Sequence, residues 1–460
     1  MKKYKNGLFF MIIAIVLGLI APISTWAQTE KGQKEFNEYI QKEFVKTQMP
    51  GMSMEIVNAE DVLFAETYGD CTSLDQPFII GSLSKSMTAI AIMQLVEARK
   101  IDLAASVHDY LPEYTEETNT TVKQLLNQNS GIKTNETIDN FHTKDSSAKY
   151  EYANTNYTLL GKIIEKVSGM KYTDYLQKFV FDPLDMNSSF TSLEKAKKHQ
   201  LVPGHRNYFG WMKQEELVGP TNASTDWLTI PSAYVISSTN DMGKYMQDLL
   251  RKESLLLQTN SRDQMINDSI SVIKNYQYGY GFGIDQRQGD KKIVHGGNVP
   301  NYTTYMILIP EKKIGIIAMF NGGDFFCAND LAIDLTYNVL EAYLTNDYSR
   351  LDNSSYKQKH LVINAVYASI VISSLFPIFL FRRWMRKNKM KITVGRAIFL
   401  VSVHMIYPTL ILLAFPLLGF PLWMVQEFTP DAFLVVIGSS IVLYLTGIIK
   451  GVYLFKRRRN

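Results

Sequence analysis

Cysteine is scarce. The 460 residues hold two, Cys71 and Cys327. A disulfide framework or a zinc site needs more cysteines, or cysteines and histidines at ligand spacing, so both are excluded. The pair reads as two buried thiols, with a single bridge as the alternative in an exported domain. The seven histidines include no H-E-x-x-H pair. Acid is nearly missing from the two ends. Residues 1–27 carry Lys2, Lys3 and Lys5 and no acid, and residues 360–460 carry twelve Lys or Arg against Glu427 and Asp431 alone. The net charge of +4 therefore hides basic ends around a middle, 28–359, of −9. An acidic main domain disfavours nucleic acid as a partner. Internal repeats and Pro/Gly/Ser-rich linkers are missing from the middle as well. What is there, 46% hydrophobic and 20% charged residues, excludes a disordered or collagen-like chain. The length allows about three units of ordinary domain size.

The ends carry addresses. Lys2, Lys3 and Lys5, the apolar run Leu8 to Ile20, the break at Ala21-Pro22 and the small residue Ala27 read as a signal peptide over 1–27, with an uncleaved anchor as the alternative. Three apolar runs near the other end, about 361–381, 397–420 and 432–449, are long enough to span a bilayer. Pro408 and Pro416 inside the second are tolerated in membrane helices. With three spans, the basic stretch 382–396 and the tail Lys456-Arg457-Arg458-Arg459 share one side, and Glu427 and Asp431 lie on the other. The positive-inside rule puts the basic side in the cytoplasm and residues 28–359 outside. An export signal requires the same orientation. The expectation is a multi-pass protein of the bacterial cell membrane, in contact with lipid, with a cytoplasmic C-terminus.

Residues 28–345 read as one domain, and 346–359 as a polar linker into the first span. Lys34–Lys46 has an amphipathic helical pattern, and Met52–Val57 and Val62–Tyr68 read as paired strands. Ser84–Lys100 is a helix with an apolar middle and hence a buried one. Thr121–Asn127, Asn156–Val167, Asp241–Leu250 and Asn329–Leu344 read as further helices, and Thr303–Leu308 and Ile314–Phe320 as strands around the turn at Pro310. Terminal helices and strands around a central helical region predict a sheet with helices on it.

Three short elements carry chemistry. Ser82-Leu83-Ser84-Lys85 opens the buried helix, where positions i and i+3 share a face. A serine hydroxyl is a weak nucleophile until a neighbour takes its proton. A lysine in an apolar site has a lowered pKa and can help do so. The spacing alone is unspecific: Ser130/Lys133 and Ser271/Lys274, among others, share it. Tyr152-Ala153-Asn154 is the second element. A tyrosine near a lysine can act as a base through its phenolate, and an amide can hold the lysine. The plain alternative is a polar turn with Asn154 or Asn156 capping the helix that follows. The third is His295-Gly296-Gly297-Asn298, at the end of a short strand, where two glycines let a substrate backbone approach. In isolation it is a β-turn.

Together and in this order, the three elements resemble the serine β-lactamase and penicillin-binding-protein pattern, with the class C-like branch the nearest. The stretch from Leu95 to Leu103, followed by Tyr110-Leu111-Pro112, is similar to that branch, and so are Gln124 to Gly131, Asn156 to Gly161 and Pro310 to Lys313. The resemblance implies an α/β (α+β) β-lactamase-like fold, an antiparallel sheet flanked by helices plus an all-helical subdomain, here followed by a three-helix membrane module. It implies Ser82 as nucleophile, Lys85 and Tyr152 as proton shuttles, and Asn154 orienting lysine and substrate. His295, Gly296, Gly297 and Asn298 line the substrate strand, and the backbone N–H groups of Ser82 and Asn298 form the oxyanion hole. No metal or organic cofactor is implied. His295-Gly296-Gly297 replaces the usual K-T-G, and Gln128 stands where many relatives have His. An exported domain with three C-terminal spans looks like the peptidases that remove an N-acyl-D-asparagine leader from peptide prodrugs. Asn298 and His205 are conceivable contacts for the polar side chain. A cell-wall carboxypeptidase or other penicillin-binding protein, a β-lactamase and an esterase fit the same motifs, all acting on a peptide or a β-lactam-like small substrate. Outside catalysis stands a β-lactam or cell-wall sensor, for which the cytoplasmic segments are too short. A transporter is disfavoured, since three spans with the single polar candidate His404 make a poor pathway and His404 reads as a packing residue.

Overall fold

A computed structural model describes residues 30–114, 119–143, 149–216, 227–287, 289–387 and 394–459. Residues 1–27, read from the sequence as a signal peptide, lie outside them. The strands are β1 (Gly51–Asn58), β2 (Val62–Gly69), β3 (Pro77–Ile79), β4 (His205–Tyr208), β5 (Trp211–Gln214), β6 (Ile236–Ser238), β7 (Ile270–Ile273), β8 (Tyr276–Tyr278), β9 (Gly283–Asp285), β10 (Lys292–Val299), β11 (Tyr302–Ile309), β12 (Ile314–Phe320) and β13 (Gly322–Gly323). Eight of them form one antiparallel sheet in the order β2-β1-β12-β11-β10-β9-β8-β7. Both chain-distant halves of the domain thus meet at the β1–β12 pair, where Met54 faces Ala318.

Strand alternation sorts the side chains into two cores. Met52, Met54 and Ile56 of β1, Ile307 and Ile309 of β11, and Ile314, Ile316 and Phe320 of β12 point to one face. There they meet the terminal helices α1 (Glu30–Phe44) and α5 (Ala328–Thr345). Val57, Met306, Leu308, Ile317 and Met319 point to the other face, into the larger core around α2 (Ser84–Glu97), α3 (Asn154–Ser168) and α4 (Thr239–Leu250). The antiparallel sheet with helices on both faces is the β-lactamase-like arrangement that the motifs implied.

The middle of α2 is buried all round, as its composition predicts. Its hydroxyls are answered within the helix turn: Ser84 Oγ donates to Gly81 O at 2.7 Å and Ser86 Oγ to Leu83 O at 2.8 Å. The helix ends earlier than Lys100, because Arg99 takes a left-handed conformation (φ 56°) and the chain turns back on Leu95 and Val96. Helix α3 begins at Asn154 rather than Asn156. Its N-cap is Ala153, which offers no side-chain cap, so neither asparagine caps it.

Glu55 is the buried acid that burial displaces most clearly. It sits on β1 against α4, where a Cβ at Gly243 would lie 2.2 Å from its Oε1. Burial pushes its carboxyl up to about 8. Lys244 works against the shift, and Asp241 and Asp75 add to it. A folded-state pKa above the unfolded value of 4.5 means stability that is full below about pH 4.5 and is lost as pH rises through 8. Glu55→Gln is therefore expected to remove much of the loss in melting temperature between pH 6 and pH 9, a span worth on the order of a few kcal/mol. Melting curves of wild type and variant across that range check it. Parallel curves contradict it.

Three helices beyond the domain are long and apolar enough to cross a membrane: α6 (Ser354–Phe379), α7 (Ile398–Leu417) and α9 (Pro430–Leu454), with the short α8 (Leu422–Phe428) between the last two. Helix α6 starts inside the stretch read as a linker, and that stretch is docked rather than free. Leu351 N donates to Glu43 Oε2 at 2.6 Å, and Tyr356 is buried. His404 packs against Gly447 and its Nε2 lies 2.9 Å from Lys450 Nζ, a polar contact between α7 and α9. The domain grips this module at several points. Phe209 N donates to Asp431 Oδ2 at 3.1 Å, Asn364 Nδ2 donates to Phe209 O at 3.0 Å, and His360 Nε2 lies 2.9 Å from Asp324 Oδ2.

Candidate active site

Ser82 lies in a single tight turn, Gly81–Leu83, between β3 and α2. Two close approaches seat that turn on β10. A Cβ at Gly81 (φ +57°) would lie 2.6 Å from Asn298 N, and one at Gly297 would lie 1.9 Å from Ile80 O. Thr304 Oγ1 adds a bond to the same Ile80 O at 2.9 Å. The sequence places glycine at both contact points because no side chain fits there. The turn that carries Ser82 is thereby seated on β10 at Gly297 and Asn298.

Lys85, one turn into α2, is fully buried. Its Nζ lies 3.1 Å from Ser82 Oγ, 2.6 Å from Asn154 Oδ1 and 2.8 Å from Ser232 O, and 4.6 Å above the Tyr152 ring. Burial holds the amine well below its ordinary pKa. Three partners suit an ammonium donating to all of them, and equally a neutral amine that donates to Asn154 and Ser232 and turns its lone pair to the Ser82 hydroxyl; burial favours the second.

Tyr152 is held well above the ordinary phenol pKa, by burial first, with the Ser82 hydrogen bond opposing the shift. It rests as a phenol. Burial disfavours the charged form of both groups, which favours a resting Lys85 with a lone pair to offer and a Tyr152 with a proton to give.

His295 is buried on β10 with its pKa pushed down to about 4, by burial first and by Lys85 second. It is neutral at ordinary pH. Its Nδ1 lies 2.7 Å from Gly296 O and its Nε2 lies 3.2 Å from Tyr278 OH. The carbonyl can only accept, so Nδ1 carries the proton and Nε2 accepts from Tyr278. His295 therefore supplies no cation where the K-T-G lysine would.

Gln128 braces the site from behind. Its Oε1 accepts from Ala153 N at 3.0 Å and Asn156 Nδ2 at 2.5 Å, pinning the start of α3 and so Asn154. His205 does not line the cavity at Ser82. Its Nδ1 lies 3.1 Å from Asn321 O on the β4–β13 seam, away from the role considered for it. Cys71 and Cys327 are both buried free thiols. Cys327 does lie near Asp324 and His360, with ligand atoms within 4.8 Å of one another. Sequence spacing concealed this grouping. Asp324 is already engaged by His360 and by the N–H groups of Phe326 and Ala328, which makes it a helix cap and clamp.

A cavity of about 430 Å³ opens over Ser82, Tyr152, Asn154, His295, Gly296 and Asn298. Gly297 faces away from it, into the Ser82 turn. Sequence reasoning missed the other walls, Tyr150, Tyr276, Tyr278, Trp227, Phe325 and Phe326 among them, as well as Phe415, Phe420, Met424, Val425 and Phe428 from beyond the domain. One signal was available. The run Tyr276-Gln277-Tyr278-Gly279-Tyr280-Gly281 alternates aromatics with glycine, and Gly281 (φ +78°) packs on the backbone of Lys85 and Ser86. Ser232, which acts through its carbonyl, left none.

The family model described as Beta-lactamase matches residues 33–337. The chain belongs to the beta-lactamase family. It is similar to Protein flp of Staphylococcus aureus (strain N315), 26% identical over 330 residues that cover 64% of each chain. It thus spans about 64% of the length of the flp proteins it matches. It is also similar to Penicillin-binding protein 4* of Bacillus subtilis (strain 168), at 22% identity over 68% of this chain and 77% of that one. Among solved structures, the octameric penicillin-binding protein homologue from Pyrococcus abyssi overlays with a TM-score of 0.62 at 24% identity, covering 72% of this chain and 81% of that one. A D-stereospecific amidohydrolase from Streptomyces sp. overlays at 0.54 and 19% identity, over 68% and 98%. These overlays concern the fold. Within this beta-lactamase-family chain the family match ends at residue 337, so the three apolar helices lie beyond it.

Proposed function

We propose that this protein is a serine hydrolase anchored in the bacterial cell membrane, with its catalytic domain on the extracytoplasmic face and its C-terminus in the cytoplasm. Its substrates are peptides containing a D-amino acid. The observation that carries the reading is Lys85, a fully buried amine within hydrogen-bond reach of Ser82 Oγ, Asn154 and Ser232. Lys85 takes the Ser82 proton as Oγ attacks the substrate carbonyl. The Ser82 and Asn298 N–H groups hold the resulting oxyanion. Tyr152 delivers a proton to the departing amine and is reprotonated from Lys85, which holds the proton taken from Ser82; water then attacks the acyl-enzyme carbonyl, giving up a proton that returns to Ser82 Oγ as the acid is released. Removal of an N-acyl-D-asparagine leader is the narrowest form of this reading. The Asn298 side-chain oxygen, buried and without a protein partner, suits a substrate amide.

The full chain in detergent, treated with a fluorophosphonate and measured by intact-mass spectrometry, tests the chemistry. One adduct is expected, and it should disappear in Ser82→Ala. An adduct that persists in the variant, or a folded wild type that takes none, overturns it. Matched peptides with D- and L-residues at the cleaved bond then test the stereochemistry. Preference for the L-series would abandon the D-peptidase reading and leave the hydrolase intact.

A further inference from the structure

The hairpin β4–β5 closes in a two-residue turn, Phe209-Gly210, with Tyr208 paired to Trp211. Both turn residues have positive φ, 57° and 94°. That is the left-handed pair of a type I′ turn, whose first position favours asparagine and penalises a bulky side chain. This chain places phenylalanine there, and the ring is used. It packs edge-on against Tyr367 of α6, with centroids 5.9 Å apart. The polar groups of the turn are engaged as well. Phe209 N donates to Asp431 at the start of α9, Phe209 O accepts from Asn364 of α6, and Gly210 N donates to Asn207 Oδ1 at 2.9 Å. A turn in water has solvent to answer these groups, whereas a turn at the edge of hydrocarbon needs the protein to do so.

Helix α6 gives the depth of the turn. Its exposed apolar surface begins at Leu361 and runs to Phe379. That stretch rises about 27 Å at about 1.5 Å per residue, close to a hydrocarbon core of about 30 Å. Asn364 and Tyr367, which hold the turn, stand about 5 and 9 Å inside that surface. The turn therefore lies beside the first apolar turns of α6, past the level where the apolar surface starts. Trp211, next in the chain, is 79% exposed. Lys213, on the same face of β5 and about 7 Å back along the strand, is exposed too.

We propose that the tip Phe209–Trp211 is a membrane peg of the hydrolase domain. It enters the bilayer interface on the side where the domain sits, with the Trp211 indole at the headgroup level and the Lys213 ammonium at the lipid phosphates. The partner of this surface is lipid. Tryptophan is the side chain that suits this layer, and a lysine just outside it extends its ammonium to phosphate while its stem stays on apolar surface. The proposal rests on the membrane-anchored reading above and deepens it. The domain then meets the bilayer through its own sequence, about 150 residues before the first span, and is held at a fixed height and tilt rather than swinging on residues 346–359. Strand β4 carries that placement onward, since its Arg206 donates to Gln426 O at 3.3 Å and Glu427 O at 3.1 Å in α8.

The test uses the full chain in phosphatidylcholine–phosphatidylglycerol nanodiscs, which leave both faces open to water. Cys71 and Cys327 are buried, so a thiol-reactive nitrobenzoxadiazole label goes to a cysteine introduced on the surface. Three single variants are labelled: Trp211→Cys at the tip, Val366→Cys on the exposed face of α6, and Val62→Cys on β2. Val62 is exposed and pairs with Val57, which pairs with Gly315, about 20 Å of strand from the β13–β4 seam. Lipid with a nitroxide near the headgroup end of its acyl chain is the quencher in the membrane, and iodide is the quencher in water. The nitroxide lipid is expected to lower the tip signal at least about twofold, as it does the α6 signal, with iodide sparing both. The β2 label should show the reverse. Because the label replaces the indole, brominated lipid reads the native side chain as well: the tryptophan emission that is lost in Trp211→Phe should be quenched in wild type. Nitroxide that quenches the α6 label but not the tip label, or a Trp211 emission that brominated lipid leaves intact, overturns the peg and leaves the spans standing. An α6 label open to iodide and untouched by nitroxide overturns the membrane-anchored reading and the peg with it.

Discussion

Lys85→Met is expected to slow acylation of Ser82 by about 10²–10⁴-fold, the range that a positioned general base contributes. Burial decides the protonation state of this amine. Its three hydrogen-bond partners include no acid. Asn154 and Ser232 offer neutral oxygens, and burial disfavours the charged form. The amine is then free to accept a proton from Ser82 at 3.1 Å. Lys85→Arg separates this from a purely electrostatic role, since a guanidinium keeps the positive charge and gives up no proton at working pH. Both variants should be similarly slow. In wild type the labelling rate should rise as pH increases through the lowered pKa of Lys85, and that rising limb should vanish in Lys85→Met. His295, with its pKa pushed down to about 4, is neutral across the range and adds no limb above about pH 5. Stopped-flow fluorophosphonate labelling from pH 5 to pH 10 measures all three proteins. A Lys85→Met rate within tenfold of wild type would move the base to another group.

The parts of this site that the sequence announces are those held by local spacing. Ser82 and Lys85 are three residues apart on one helix, so their meeting follows from helix geometry alone. Asn154 is close to Lys85 only through packing of α3 on α2, and the sequence offered a competing local explanation, a helix cap. The structure rejects that cap because Ala153 takes the position and the amide is spent on Lys85. The base assignment was not legible for a related reason. Whether Tyr152 or Lys85 holds the free lone pair depends on how deeply each is buried, which no spacing encodes. Strands β1, β2, β11 and β12 and the terminal helices were readable from their apolar pattern, whereas β7, β8 and β9 at the far end of the sheet, short and rich in tyrosine, glycine and polar residues, were not. The far wall of the cavity was readable as membrane-spanning sequence and as nothing more. Phe415 and Phe428 look like lipid-facing or packing residues until the domain is docked on them through Arg206, a contact spanning more than two hundred residues of chain.

Gly297→Ala should cost at least about 10²-fold in Ser82 labelling, far more than its single methyl suggests. The added Cβ would lie 1.9 Å from Ile80 O and 2.3 Å from Thr304 Oγ1, and the first of these is backbone, which cannot rotate away. Relief requires the Ile80–Ser82 turn to lift from β10. That lift parts the Ser82 and Asn298 N–H groups and changes the distance from Ser82 Oγ to Lys85. A shift of about 1 Å at reacting groups is worth roughly 10²-fold, and loss of one oxyanion donor about 10²–10³-fold. The rest of the domain need not notice, because overpacking at one point costs about 1–3 kcal/mol. Gly296→Ala is the comparison that isolates the cause. Its Cβ would meet the Tyr305 ring most closely, at 3.2 Å, and a side chain can yield. Its labelling rate should stay within about tenfold of wild type. The two variants differ by one position on the same strand, carry the same added methyl and share the same solvent, so a general weakening of β10 would affect them alike. Labelling kinetics with circular dichroism as the fold control decide the matter. If Gly297→Ala is labelled as fast as Gly296→Ala, the turn is not seated by this contact and the oxyanion geometry built on it is wrong.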